Sequence, residues 1–369
     1  MKKITIFFMI LKLTLFANIF AGSATKKSME IKGEFAKSKQ CIRCHLDIYE
    51  EYKSSSHFNS SIYRDKIHKK VFELHSKATN EKNYICAKCH TPLVKNKKIE
   101  NMDENKTEYK EAIACAYCHR IKSIQKHKKA NKNIILNKKG VYYGTRNPEI
   151  RSEYHKIINT NIIHKNGDTC MGCHSHKQNS FGFVVCKTEN KNTLKENCIT
   201  CHMPQVEGSL SDRVETPTHA YHGFAALTNR PELLKKYINL KIEPKKNFFI
   251  IEVENLAPHS IPLHPIRMFE LIVEVYKNGK LYKVYKRDFH KVLGKGKKAA
   301  PPWIADRVLK DTTIKPKEKK IIKIDIDPKN KKIVAKFGFF IVNPKAAKKM
   351  NLEEFSKFRL LKKIVFKNN

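Results

Sequence analysis

Cys41-Ile42-Arg43-Cys44-His45 decides how this chain is read, because the same pattern returns four times before residue 203. The repeats are Cys86-Ala-Lys-Cys89-His90, Cys115-Ala-Tyr-Cys118-His119, Cys170-Met-Gly-Cys173-His174 and Cys198-Ile-Thr-Cys201-His202. Two intervening residues place a pair of thiols one helical turn apart. A histidine directly after the second thiol can then swing beneath whatever the thiols hold. This is the attachment signature of c-type haem, with the histidine as the proximal iron ligand. Zinc sites draw on two Cys-x-x-Cys pairs per metal and need no histidine at a fixed offset, and five pairs do not divide into twos. Disulfides would use ten thiols but leave the five histidines unexplained. The expectation is five covalently bound c-type haems on Cys41, Cys44, Cys86, Cys89, Cys115, Cys118, Cys170, Cys173, Cys198 and Cys201. The proximal ligands would be His45, His90, His119, His174 and His202. The eleventh cysteine, Cys186, sits in an apolar run from Phe181 and reads as a packed free thiol.

Outward from the motifs, the start of the chain reads as an export signal over residues 1–24. Lys2 and Lys3 are followed by an almost wholly apolar stretch from Ile4 to Phe20, then by the small residues Ala21-Gly22-Ser23-Ala24. An uncleaved signal would instead act as a membrane anchor. Covalent haem is assembled outside the energy-conserving membrane, so both features place the mature protein in the periplasm. The formal net charge of +39 is a strong positive field. It suits acidic redox partners or an anionic surface, although abundant Lys, Asn and Ile also suit AT-rich coding. Nucleic acid is not an expected partner for an exported haem protein.

Residues 25–236 hold every motif, and their signals for regular structure are short. Helices are expected at 47–53, 59–78 and 230–236. The motif spacing is uneven, so this part is not a simple tandem array. From 237 the character changes. Asn247 to Glu254 alternates as a strand does. Met268 to Tyr276, the turn Asn278-Gly279 and Leu281 to Tyr285 read as a β-hairpin. Lys320 to Ile326 and Lys332 to Val342 supply further strands. Residues 237–350 are thus expected as an antiparallel sheet or sandwich. Residues 351–369 are expected as a C-terminal helix and tail, opened by Asn351 with Glu354 as a capping box. The fold class is α+β and multidomain: a mostly α or irregular haem domain, a β-rich domain, then a helix.

Several passages resemble periplasmic multihaem cytochromes c, a superfamily that includes the tetrahaem electron acceptor of hydroxylamine oxidoreductase. They are Ser38-Lys39-Gln40 before the first motif and Tyr52-Lys-Ser-Ser-Ser-His57 after it, and Thr91-Pro92 after the second. Tyr142-Tyr143-Gly144 with His155, Met203-Pro204, and Thr218-His219-Ala-Tyr-His222-Gly223-Phe224 complete the set. Asn255-Leu-Ala-Pro258-His259-Ser-Ile-Pro262 is similar to a strand-end motif of β-domains in such proteins, with Pro258 in place of a glycine and Leu263-His264 in place of Thr-Gly. The resemblance implies distal iron ligands at His57, His155, His222 and His259, with His219 as a substitute for His222. His176, too close to His174 to cap the same iron, is the candidate for a neighbouring haem.

What the sixth iron position holds separates two functions. Five second histidines would make a pentahaem electron carrier between a membrane quinol dehydrogenase and a periplasmic reductase. One open position would make an oxidoreductase acting on a small nitrogen or sulfur compound. All five motifs end in histidine, unlike the lysine-ligated haem of pentahaem nitrite reductases. Electron transfer is therefore the expected role, with the enzymatic reading as the alternative.

Overall fold

A computed structural model describes residues 33–125, 127–130, 132–145, 152–188 and 193–367. The expected signal, 1–24, lies outside the described residues. Helix α1 (Ser38–Cys41) leads into the first motif and α2 (Leu46–Ser54) leaves it. The longest helix among the described residues, α3 (Lys66–Thr79), starts where the Asp65 carboxylate accepts the backbone N–H groups of Ile67 and His68. It stops at Asn80, whose φ of 52° is the left-handed cap. Helix α4 (Ala87–His90) carries the second motif, α5 (Thr107–Glu111) precedes the third, and α6 (Cys115–Cys118), α7 (Met171–His174) and α8 (Cys198–His202) carry the rest.

Between these turns lie four two-stranded ribbons. They pair β1 (Ile121–Ile124) with β2 (Ile134–Leu136), and β3 (Val141–Tyr143) with β4 (Lys156–Ile158). They also pair β5 (His176–Gln178) with β6 (Val184–Lys187), and β7 (Gln205–Glu207) with β8 (Thr218–Ala220). The motif-bearing part is thus laced by short strands, which its weak alternation did not announce.

The C-terminal part is a β-sandwich. One sheet orders β9 (Ile238–Pro244) and β10 (Phe249–Asn255) beside β16 (Lys319–Ile324) as β16-β10-β9. The second contains β11 (Met268–Lys277), β12 (Lys280–Phe289), β17 (Lys331–Phe340) and β18 (Arg359–Lys367), in the order β12-β11-β17-β18. A small third sheet joins β13 (Lys291–Lys295), β14 (Lys298–Ala299) and β15 (Arg307–Asp311). Alternate residues of the two larger sheets meet in one core: Phe249, Ile251 and Val253 from β10, Leu271, Val273 and Val275 from β11, Ile333, Phe337 and Phe339 from β17. Helix α3 lays Ile67, Val71 and Leu74, one helical face, against that core. The turn between β11 and β12 is the expected one, with Asn278 at φ 50° and Gly279 at φ 77°.

The C-terminal helix expected over 351–369 is corrected. Helix α9 (Pro344–Met350) comes earlier, started by Asn343 and ended by Asn351 at φ 53°. Asn351 therefore closes a helix instead of opening one. The segment beyond it is β18, paired antiparallel to β17 with Phe366 opposite Ile333 and Ile364 opposite Ala335. Ile364-Val365-Phe366 are strand formers, and Ile364 and Phe366 pack on the sandwich core. A lone capping pattern is outweighed by an open sheet edge and apolar burial. Among the described residues no helix is long and apolar enough to cross a membrane.

Candidate functional site: opposed histidine rings beside the thiol pairs

Each motif is a single helical turn. The His45 amide bonds to the Cys41 carbonyl at 2.9 Å, His90 to Cys86 at 3.0 Å and His119 to Cys115 at 3.0 Å. The turn puts both thiols on one side and throws the histidine ring underneath. Four of these rings donate Nδ1–H to a main-chain carbonyl: His45 to Leu210 at 2.8 Å, His90 to Ser60 at 3.2 Å, His119 to Tyr143 at 2.7 Å and His202 to Ala225 at 2.6 Å. A proton held on Nδ1 leaves the Nε2 lone pair free for a metal.

Across from four motif histidines stands a second ring at nearly constant separation. Ring centres are 6.4 Å apart for His45 and His155, 6.1 Å for His174 and His57, 6.2 Å for His119 and His222, and 6.3 Å for His202 and His259. A metal–imidazole bond of about 2 Å, plus roughly 1.1 Å from ring nitrogen to ring centre, sets two rings on opposite faces of one metal about 6.2 Å apart. Direct ring stacking would be closer. The donor set, its spacing and the adjacent thiol pairs therefore fit covalent haem clasped between imidazoles. Burial pushes His57 and His222 down to about 3, so both rings are neutral donors at physiological pH.

The arrangement departs from the sequence expectation at two residues. His176 does not face a motif ring: its Nε2 donates to the Lys128 carbonyl at 2.6 Å and its Nδ1 meets Ser175 Oγ at 3.1 Å. It belongs to the β5–β6 ribbon, opposite Lys187. His219 likewise has both nitrogens engaged, by the Gly208 carbonyl and by Glu51. His222, its alternative, keeps Nε2 free because Nδ1 donates to the Ala220 carbonyl at 2.6 Å. His164 also lies 6.4 Å from His119, but its Nε2 is held by the Ile121 carbonyl at 2.8 Å.

His90 is the exception among the motif rings. Its close neighbour is His68, with ring centres 3.9 Å apart, too near for a metal between them. Both rings turn Nδ1 to the same Ser60 carbonyl, at 2.9 Å for His68 and 3.2 Å for His90. His68 thus stands on the same side as His90. The signal for it was present: His68 and Phe72, one turn apart, form the buried stripe of α3.

Sulfur contacts connect the motifs in space. The Cys41 thiol hydrogen-bonds that of Cys115, Cys89 meets Cys173, and Cys170 meets Cys198. Cys118 stands near Cys170 and Cys173. Motif one therefore adjoins three, three adjoins four, and four adjoins both two and five. Cys186 is half-buried, opposite Lys177 in the β5–β6 ribbon, and burial raises its thiol pKa.

Comparison with known proteins agrees with this geometry. Residues 40–120 match the sequence model of the family described as cytochrome c554 and c-prime. No curated protein sequence matches the chain. The penta-haem cytochrome c552 from Thermochromatium tepidum superposes with a TM-score of 0.71 at 20% identity, over 89% of this chain and 98% of that one. The chain thus has the fold of a multihaem c-type cytochrome, and its thiol pairs and histidines fit covalently bound c-type haem.

Proposed function

We propose that the chain is a periplasmic pentahaem cytochrome that carries electrons between respiratory partners. The observation that carries this reading is the set of four opposed ring pairs at 6.1–6.4 Å. Haem supplies a one-electron couple when bound. The chain's own part is to hold His45, His174, His119 and His202 as proximal ligands with His155, His57, His222 and His259 opposite them. Two imidazoles per iron would leave no position for a substrate, and main-chain carbonyls on Nδ1 fix the orientation of His45, His119, His202, His222 and His259. The contacts among Cys41, Cys115, Cys118, Cys170, Cys173, Cys198 and Cys89 bring all five motifs into one connected set that branches at motif four, so electrons could pass between all of them.

The strongly basic composition suits acidic donors and acceptors. A membrane quinol dehydrogenase upstream and a periplasmic reductase downstream fit that role. The leader over residues 1–24 supports export. A second reading has a specific observation behind it. The described ring contact of His90 is with His68 at 3.9 Å, too close for a metal between them, while the buried His264 lies near enough to feel its charge; an iron held at His90 with an open position would make the protein an oxidoreductase for a small nitrogen or sulfur compound.

Electron paramagnetic resonance of the oxidised mature protein tests the proposal. Wild type is expected to show low-spin haem at the four paired sites, and His259→Ala should turn one of them high-spin. If His259→Ala leaves the low-spin count unchanged, the paired-ligand assignment fails. A high-spin haem in wild type that shifts on adding nitrite or hydroxylamine, and turns it over with a viologen donor, would move the function to the second reading.

A further inference from the structure

Glu51 projects from α2, the helix leaving the first motif, and reaches the ligand candidate of the third. Its Oε2 accepts the backbone N–H of His222 at 2.8 Å, and its Oε1 accepts Nε2–H of His219 at 3.1 Å. The remaining His219 nitrogen donates to the Gly208 carbonyl at 3.0 Å. Both His219 nitrogens are thus engaged, one by a main-chain carbonyl and one by the Glu51 carboxyl group. The pair is withdrawn from water, at 2% side-chain exposure for His219 and 19% for Glu51.

The surroundings are shaped for this pair. Strands β7 and β8 set Val206 opposite His219, the middle pair of the ribbon's three. Gly208 takes φ +121°, and a Cβ there would stand 3.2 Å from His219 Cε1, so a side chain at 208 would both strain the backbone and crowd the ring. One carboxyl group therefore joins two segments, α2 after motif one and residues 219–222 after motif five, where His222 stands opposite His119. Apolar replacements often stabilise a fold as well as a buried polar contact does. The two Glu51 oxygens here fix the ring of His219 and the backbone of His222, a group that would have to meet a metal at one distance and angle.

We propose that Glu51 and His219 are positioning residues for His222, holding it as the sixth ligand of the haem attached at Cys115 and Cys118 and so setting that haem's reduction potential. The inference rests on the paired-ligand reading above. Outer partners of this kind tune ligand orientation and basicity.

The test compares mature holoprotein carrying Glu51→Ala, Glu51→Gln, His219→Gln and the reference His222→Ala. His222→Ala should lose one haem's low-spin signal and gain one high-spin signal. Glu51→Ala should reproduce that loss in part or whole, with the remaining haem signals and the far-UV circular dichroism unchanged. Glu51→Gln, which keeps an acceptor for the His222 amide, and His219→Gln should retain low-spin haem but shift one midpoint potential in a redox titration. If Glu51→Ala does not mature, these two variants alone are read. Wild-type spectra and midpoint potentials in every Glu51 and His219 variant, with His222→Ala altered, would overturn the positioning role. An unaltered low-spin count in His222→Ala would overturn the ligand assignment beneath it.

Discussion

The sandwich and the motif region solve the problem of a core in opposite ways. In the sandwich, β11, β12 and β17 run ten residues each, and the fully buried side chains are large: Phe249, Phe289, Phe337, Phe339, Leu271 and Ile333. In the motif region the ribbons are three or four residues long. Its most buried apolar groups include Ala87, Ala112, Ala114, Ala116 and Ala225. Small side chains line the thiol pairs, and the histidine pairs are spaced to clasp a flat group. One part of the chain supplies its own apolar matter. The other has a small cluster of its own, with Ile62, Phe72, Tyr84 and Tyr109, and on the proposed reading would wrap apolar matter brought by haem, which would also engage buried ring nitrogens. The motif region would then depend on maturation, because an uncompensated set of buried polar rings is costly.

The sharpest way to break the comparison is to prevent haem attachment. A chain with serine at all ten motif cysteines should lose its protection from limited proteolysis throughout the motif region, while the segment 238–367 resists. Equal resistance of the two parts, read by mass spectrometry of the fragments, would show that the contrast is false. The next effect belongs to the sandwich alone. Phe337, fully buried and ringed by Phe269 and Phe289, should cost about 3–5 kcal/mol when cut to Ala. Urea unfolding followed by circular dichroism measures this, and the Soret spectrum of the folded protein should not change.

Acid should act on the other side of the comparison. Burial pushes His68 and His164, both in the motif region, down to about 4 from an ordinary 6.5. Between these values the unfolded chain binds more protons than the folded one, so stability rises with pH across the window. It should be flat above pH 6.5 and fall as the pH drops toward 4, by on the order of 3 kcal/mol per ring at most. Replacing His68 with Gln should flatten part of the slope in unfolding measured across that range. An unchanged slope would remove the assigned cause.

Much of this was legible beforehand. The expected hairpin at Asn278-Gly279 and the strands around Asn247, Lys320 and Lys332 coincide with β10, β11, β12, β16 and β17 to within a few residues. Each is a local pattern of alternation and turn chemistry. Helix α3 is shorter at its start than the expected 59–78, because Asp65 caps it. The C-terminal strand was missed because Asn351 and Glu354 mimic a helix start, whereas β18 exists by pairing with β17. His176 and His219 were misplaced for a related reason. Proximity in sequence to a motif says nothing about which way a ribbon turns a ring.

By itself the sequence determined what is chemically local. Two thiols and a histidine within five residues share one helical turn, so the candidate attachment points and proximal rings follow from spacing alone. Only the tertiary structure decided which ring stands on the opposite face. His155 comes to His45 and His259 to His202 across the fold, and Glu51 reaches His222 from 171 residues away. A sixth ligand is chosen by distance and orientation in space. Those are set by how α2, the β7–β8 ribbon and the loop after β10 pack around the motifs, and no spacing along the chain encodes that choice.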